Sequence, residues 1–223
     1  MQLVTGHRWK VSPREAIAIQ ERLATRISLE MGIKRPRFVA GLDVAFDSKR
    51  ERAFGAAVVC CFPELTVVDE VTASRGIPFP YIPGLLSFRE CPVLLSALKK
   101  LHTMPDLILV DGQGIAHPRG VGLAAHLGVL LGIPTIGCAK SKLVGEYREP
   151  ARRRGSISPL RYHGRIVGHV VRTRTDVRPI FVSPGNLIDP KSAADLALAC
   201  CKGYRLPEPT RIAHQRSREA KRR

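Results

Sequence analysis

The sequence predicts an α/β fold built on a mixed sheet. Three strand-like runs follow one another with short polar breaks, as antiparallel neighbours do. Short apolar runs then alternate with helical segments, the pattern of parallel strands joined by helical crossovers. Size and composition bound the answer: 223 residues, 44% hydrophobic and 25% charged, are enough for one ordinary globular domain and exclude a disordered or fibrous chain.

The elements follow in order. Ala16, Ile17, Ile19, Leu23 and Ile27 recur at helical spacing and predict an amphipathic helix over 13–30. A basic, proline-containing linker at 34–37 precedes strand runs at 38–46, 53–62 and 65–71, rich in Val, Ala and Phe. A loop dense in Pro and Gly (76–84) leads to a helix over 85–101, then a strand over 107–110 that closes on Asp111. A helix over 121–131 and a strand over 135–139 complete the alternation. Past a basic loop at 148–155, strands are expected over 165–171 and 180–182, and a helix over 192–201. From about 215 a basic tail lacks apolar periodicity and is expected to be flexible. No repeat or long linker divides the chain, so residues 1–223 read as one domain. This order matches a ribonuclease H-like mixed sheet, and a generic doubly wound sheet fits the pattern nearly as well.

Charge points to the partner. Lys and Arg number 36 against 19 Asp and Glu, a net charge of +17. Such an excess favours a polyanion, because neutralised phosphates release condensed counterions; a merely solvated basic surface is the alternative. The N-terminus has no uninterrupted apolar stretch and no run reaches the ~20 residues a bilayer needs. A cytoplasmic protein without a membrane contact is expected. Six cysteines, with no CxxC spacing, read as reduced, mostly buried thiols.

Three acids stand out against this basic background. Asp43 lies in the middle of an apolar strand, where a carboxylate is costly to bury without a cation or hydrogen bonds; strand alternation also allows it to face solvent. Asp111 ends a second strand and opens the turn Gly112-Gln113-Gly114, at the strand end where open α/β sheets bind ligands. Two such aspartates on adjacent strands need a divalent cation or a shared proton. Glu90 lies in the first turns of the intervening helix, where it either serves the helix N-terminus or points at both aspartates. An oxygen-only cluster suits Mg²⁺ or Mn²⁺, and a basic chain gathering acids at one point suits phosphodiester hydrolysis.

A second anomaly is the loop Pro80-Tyr81-Ile82-Pro83-Gly84. Its two prolines fix the backbone and present an aromatic and an aliphatic side chain, as a wedge that unstacks bases does, although a buried loop would look the same. Lys140 ends a strand beside that of Asp111 and either steadies a phosphate or lies free on the surface. His117 follows the Gly-rich turn and serves either a loop hydrogen bond or nucleic acid.

These blocks carry a resemblance. Asp43 within GLDV, PYIPGLLSFRE at 80–90, DGQGIAHPRGVGLAAH at 111–126, GIPTIGCAK at 132–140 and GYRLPEPTRIAH at 203–214 together resemble endonuclease V, over nearly the whole chain. The resemblance implies a ribonuclease H-like fold and metal-dependent nicking of DNA at the second phosphodiester bond 3′ to hypoxanthine. It implies Asp43, Glu90 and Asp111 as metal ligands, with His214 completing the cluster and Lys140 catalytic. It places Tyr81 at the tip of the wedge. If the loop is a wedge, the base is expected to be read by backbone groups near Gly84 and Gly112, where no side chain obstructs the approach. Gln113 stands where some relatives carry His. The expected cofactor is Mg²⁺, with Mn²⁺ as a substitute. The expected partner of a monomeric chain is DNA containing deoxyinosine or another deaminated base. Inosine-containing RNA stays open as a substrate. A non-catalytic binder is the other alternative, but it gains nothing from carboxylates set against phosphate.

Overall fold

Strand alternation decides where the acids go. β1 (Phe38–Asp47) pairs antiparallel with β2 (Arg52–Cys61), which pairs antiparallel with β3 (Val67–Gly76). On its other side β1 runs parallel to β4 (Leu107–Val110), and β4 runs parallel to β5 (Thr135–Ala139). Next to β5 come β8 (Ile180–Asn186), β7 (Arg165–Val171) and β6 (Ile157–Tyr162), all antiparallel, giving the eight-stranded order β3-β2-β1-β4-β5-β8-β7-β6. The computed structural model describes residues 3–30, 32–33 and 35–223; Lys34 of the expected linker and the extreme N-terminal Met1 and Gln2 lie outside the described residues.

Helices cover both faces. Ala40, Leu42, Ile108 and Val110 point to one side and pack with α2 (Leu86–Leu98) and α3 (Leu123–Leu131) through Leu94, Leu98, Leu127 and Leu130. Val39, Leu107 and Leu109 point to the other, against α4 (Pro190–Ala199) and α5 (Glu208–Arg222) through Ala193, Ala197 and Ala213. The same period of two puts Gly41, Asp43 and Asp111 on the α5 side. α1 (Pro13–Ala24) begins with a capping box between Ser12 and Glu15 and buries Ala16, Ile19 and Leu23 with Phe79, Phe88 and Val121.

Five expectations need correction. β3 starts at Val67 and runs five residues past residue 71 to Gly76, its polar half being paired with β2. α1 stops at Ala24, with Thr25 as its C-cap, well short of residue 30. β6 has no counterpart among the expected strands: its buried residues alternate through Ser158 and Leu160, but Pro159 hides the pattern, and the strand tolerates proline because it sits on the sheet edge. β8 runs four residues past Val182, through Pro184 and Gly185, to Asn186. The tail expected to be flexible is the last part of α5. Its buried stripe, Pro209, Ala213 and Ser217, is made of small residues and so carries no apolar signal. Small residues are required because the helix crosses β1 at Gly41, where an added Cβ would fall 2.0 Å from the Pro209 carbonyl carbon. Among the described residues no helix is long and apolar enough to cross a membrane.

Candidate active site

β1 and β4 are adjacent and in register at Leu42 and Val110, and the Asp111 amide donates to the Leu42 carbonyl at 3.2 Å. Asp43 and Asp111 therefore leave neighbouring strands on one face, under α5. Three residues there, Asp43, Asp111 and His214, bring ligand atoms within 4.8 Å of one another. Asp43 is 8% exposed. Burial pushes its carboxyl above the usual range and Asp111 adds to the rise; the hydroxyl of Ser217, donating at 2.5 Å, and His214 oppose it. His214 Nδ1 lies 3.3 Å from Asp43 Oδ2, yet this buried nitrogen has no hydrogen-bond partner among the described residues. Two carboxylates and an imidazole nitrogen gathered at one point make a donor set that fits a divalent cation.

Lys140, just after β5, donates from Nζ to Asp111 Oδ2. Arg205 donates to the Lys140 carbonyl at 2.7 Å and so fixes the backbone from which that lysine springs. Glu90 comes from α2, on the opposite face, and does not belong to the ligand trio. Burial, then the charges of Asp43 and Asp111, push its carboxyl up to about 8. The structure thus gathers Asp43, Asp111 and His214 closely, ties Lys140 to Asp111, and leaves Glu90 at the edge of the cluster.

The Pro-rich loop forms the roof of a neighbouring pocket. Tyr81 stands out at 70% exposed, while Phe79 and Leu85 anchor the loop in the core. Gly84 needs its left-handed φ of 77°, and its carbonyl accepts from Gln20 Nε2 at 3.0 Å, His117 Nε2 at 3.0 Å and Arg119 Nη2 at 2.7 Å. The His117 Nδ1 accepts from the Arg119 amide, so both ring nitrogens are spent on the loop. Burial, aided by Arg119, lowers the His117 pKa to about 4 and keeps the ring neutral. Below the loop a cavity of about 160 Å³ is lined by Tyr81, Ile82, Pro83, Gly84, Ser87, Gly112, Gln113 and His117, among others. Gly112 joins this cavity to Asp111.

A second groove, about 440 Å³, runs from Asp43 and His214 along α5 to Arg218, Lys221 and Arg222. Sequence reasoning missed Ser217, Gln20 and Arg119 as parts of the site. The spacing of Ser217 three residues after His214 is a signal only once a helix is known there.

Known proteins resemble nearly the whole chain in sequence and fold. The endonuclease V family model matches residues 21–215. A curated endonuclease V from Nostoc punctiforme is 48% identical, covering 96% of this chain and 97% of its own length. One from Methanothrix thermoacetophila is 50% identical over 93% of this chain and 92% of its own. The crystal structure of endonuclease V from Streptomyces avermitilis superposes with a TM-score of 0.92 at 44% identity, covering 96% of this chain and 95% of that one. Endonuclease V from Ciona intestinalis, crystallised with a 24mer DNA containing an inosine followed by a ribo-adenosine, gives a TM-score of 0.82 at 27% identity, over 94% and 97% of the two chains. With match, coverage and fold in agreement, the chain belongs to the endonuclease V family and is a nuclease.

Proposed function

We propose that this chain is a divalent-metal-dependent endodeoxyribonuclease that recognises hypoxanthine and other deaminated bases in DNA and cuts the second phosphodiester bond on the 3′ side, leaving a 3′-hydroxyl and a 5′-phosphate. One observation carries the reading: the Asp43–Asp111–His214 trio lies one residue away from a pocket of about 160 Å³, joined to it through Gly112. Groups for phosphate chemistry and room for an extruded base thus share one strand end. The inosine-bearing DNA in the Ciona intestinalis complex supports the same substrate class.

Asp43, Asp111 and His214 would hold Mg²⁺ or Mn²⁺, with Glu90 beside them. When bound, such an ion activates water and offsets charge on the leaving oxygen. Ser217 and Lys140 orient the two aspartates from opposite sides. Lys140 also puts a cation where a phosphate bound at Asp111 would lie. Tyr81, rigidly mounted between Pro80 and Pro83, enters the base stack, and the backbone at Gly84 and Gly112 approaches the extruded base unobstructed by side chains. The whole set comes from one chain, so a monomer suffices, and a reducing cytoplasm suits six unpaired thiols.

The test is to incubate wild type, Asp43→Ala and Asp111→Ala with end-labelled, matched inosine-containing DNA and RNA in Mg²⁺, Mn²⁺ or Ca²⁺, and to map the cut. Wild type is expected to nick the DNA one bond beyond the neighbouring nucleotide with Mg²⁺ or Mn²⁺, and to bind without cutting in Ca²⁺. Each variant should bind inosine DNA and lose nicking. A variant that nicks at more than about a tenth of the wild-type rate removes that residue from the metal. Cleavage of the RNA alone replaces DNA as the substrate.

A further inference from the structure

One titratable pair, the buried His126 and the half-buried His7, has no part in the chemistry above. His126, fully buried on α3, lies 2.7 Å Nε2-to-Nε2 from His7, and its Nδ1 lies 2.8 Å from the Ser87 hydroxyl. His7 Nδ1 lies 2.7 Å from the Arg8 carbonyl. Trp9 and Phe88 pack around both rings. Ser87, at the start of α2, lines the pocket proposed for the extruded base.

The direction of every hydrogen bond in this chain follows from its far end. A carbonyl only accepts, so His7 Nδ1 carries the hydrogen and donates to it. In the neutral ring His7 Nε2 then accepts, and His126 Nε2–H donates. The neutral His126 accepts at Nδ1, so the Ser87 O–H donates into it. Burial holds His7 below its ordinary pKa, and Arg22, facing it from α1 with Arg26, works the same way, against the raising effect of the Arg8 carbonyl. Burial also holds His126 well below. The hydroxyl hydrogen of Ser87 is therefore spent on His126, and its oxygen, on a pocket-lining residue only 2% exposed, keeps only lone pairs.

We propose that Ser87, its donor locked onto the His126–His7 pair, is a specificity-determining residue that accepts a hydrogen bond from the ring N–H of the base. Deamination of adenine replaces the lone pair at N1 by N1–H. An acceptor there welcomes the product and sets lone pair against lone pair for the parent base. Guanine also carries N1–H, so this acceptor does not separate it from hypoxanthine. His126 and His7 act only through Ser87, as positioning residues. The inference rests on the inosine-directed reading above and deepens it.

The experiment measures binding in Ca²⁺, which is expected to support binding without cutting, so that cleavage plays no part. Fluorescent single strands carry deoxyinosine, deoxyadenosine or deoxynebularine, the last lacking both N1–H and O6. For Ser87→Ala the Kd for the inosine strand should rise about five- to tenfold, the value of one neutral hydrogen bond, and that for the nebularine strand should stay within about twofold. His7→Ala keeps Ser87 but frees the His126 tautomer, and should lower the preference for inosine over adenine several-fold. Equal weakening on inosine and nebularine, or no weakening on inosine, overturns the role of Ser87 and leaves the nuclease reading standing. Wild-type protein without preference for inosine over adenine overturns both.

Discussion

Glu90 has the most consequential environment of any single residue here. An unfolded glutamate titrates near 4.5, whereas burial and two neighbouring aspartates raise this one to about 8. The folded chain thus holds the proton more tightly than the unfolded one, so stability falls as pH climbs from about 4.5 through 8. Below the unfolded value both states are protonated and the penalty is absent; above 8 it is complete. Glu90→Gln is therefore expected to raise the Tm of the metal-free protein at pH 9 and to leave it unchanged near pH 4, by melting in EDTA at both. Each kcal/mol relieved corresponds to about 2–4 °C for a chain of this size. A gain of equal size at both pH values would mean that the carboxylate charge is not its source. Asp43 and Asp111 were legible in the sequence only as a pair on adjacent strands and through the family resemblance, since each alone has an ordinary structural explanation. Ser217, Gln20 and Arg119 were not, since their roles exist only through partners far away in the chain, as when Ser217 reaches Asp43 across 174 positions.

Under the proposed function, two elements would divide the work of holding nucleic acid. The base of the Pro-rich loop is pinned by three donors on the Gly84 carbonyl, while Tyr81 at its tip stays in solvent. A wedge mounted this way is useful only against a stack, and unstacking costs a few kcal/mol. Tyr81→Ala should accordingly slow nicking of duplex inosine DNA more than of the single strand, compared as kcat/KM on matched sequences. Equal losses would make Tyr81 a direct contact to the base or backbone. α5 carries the second function. Arg218, Lys221 and Arg222 share the groove that starts at Asp43 and His214, and a phosphate backbone reaching the metal ligands would lie along it. The triple change of these residues to Gln should make the slope of log K against log salt shallower by about 0.9 for each duplex phosphate that is no longer neutralised. The inosine-to-adenine ratio should stay constant, because phosphate contacts position without specifying. An unaltered slope returns all three side chains to solvent. The helix itself was invisible in the sequence: its buried stripe of Pro209, Ala213 and Ser217 has no hydrophobic bulk to register. The Pro-locked loop was visible at once, since two prolines around an aromatic need no tertiary context.

At the scale of the molecule, the sheet's centre was readable and its margin was not. β1, β2, β4 and β5 are short or continuous runs of buried residues, and burial on both faces is what makes such runs apolar throughout. β6 lies on the edge with every second residue exposed and a proline inside, so nothing in its composition demands a strand. The crossing of α5 over Gly41 has a further meaning in time. Synthesis supplies β1 with Asp43 early and α5 only after all eight strands. A nascent chain halted anywhere before residue 208 can carry both aspartates but lacks His214, Ser217 and the basic groove. The Ser217–Asp43 hydrogen bond joins positions 174 apart, a contact of long sequence separation. Under the proposed function, the cutting centre would be incomplete until this one helix lies against β1, because His214 and Ser217 both come from it.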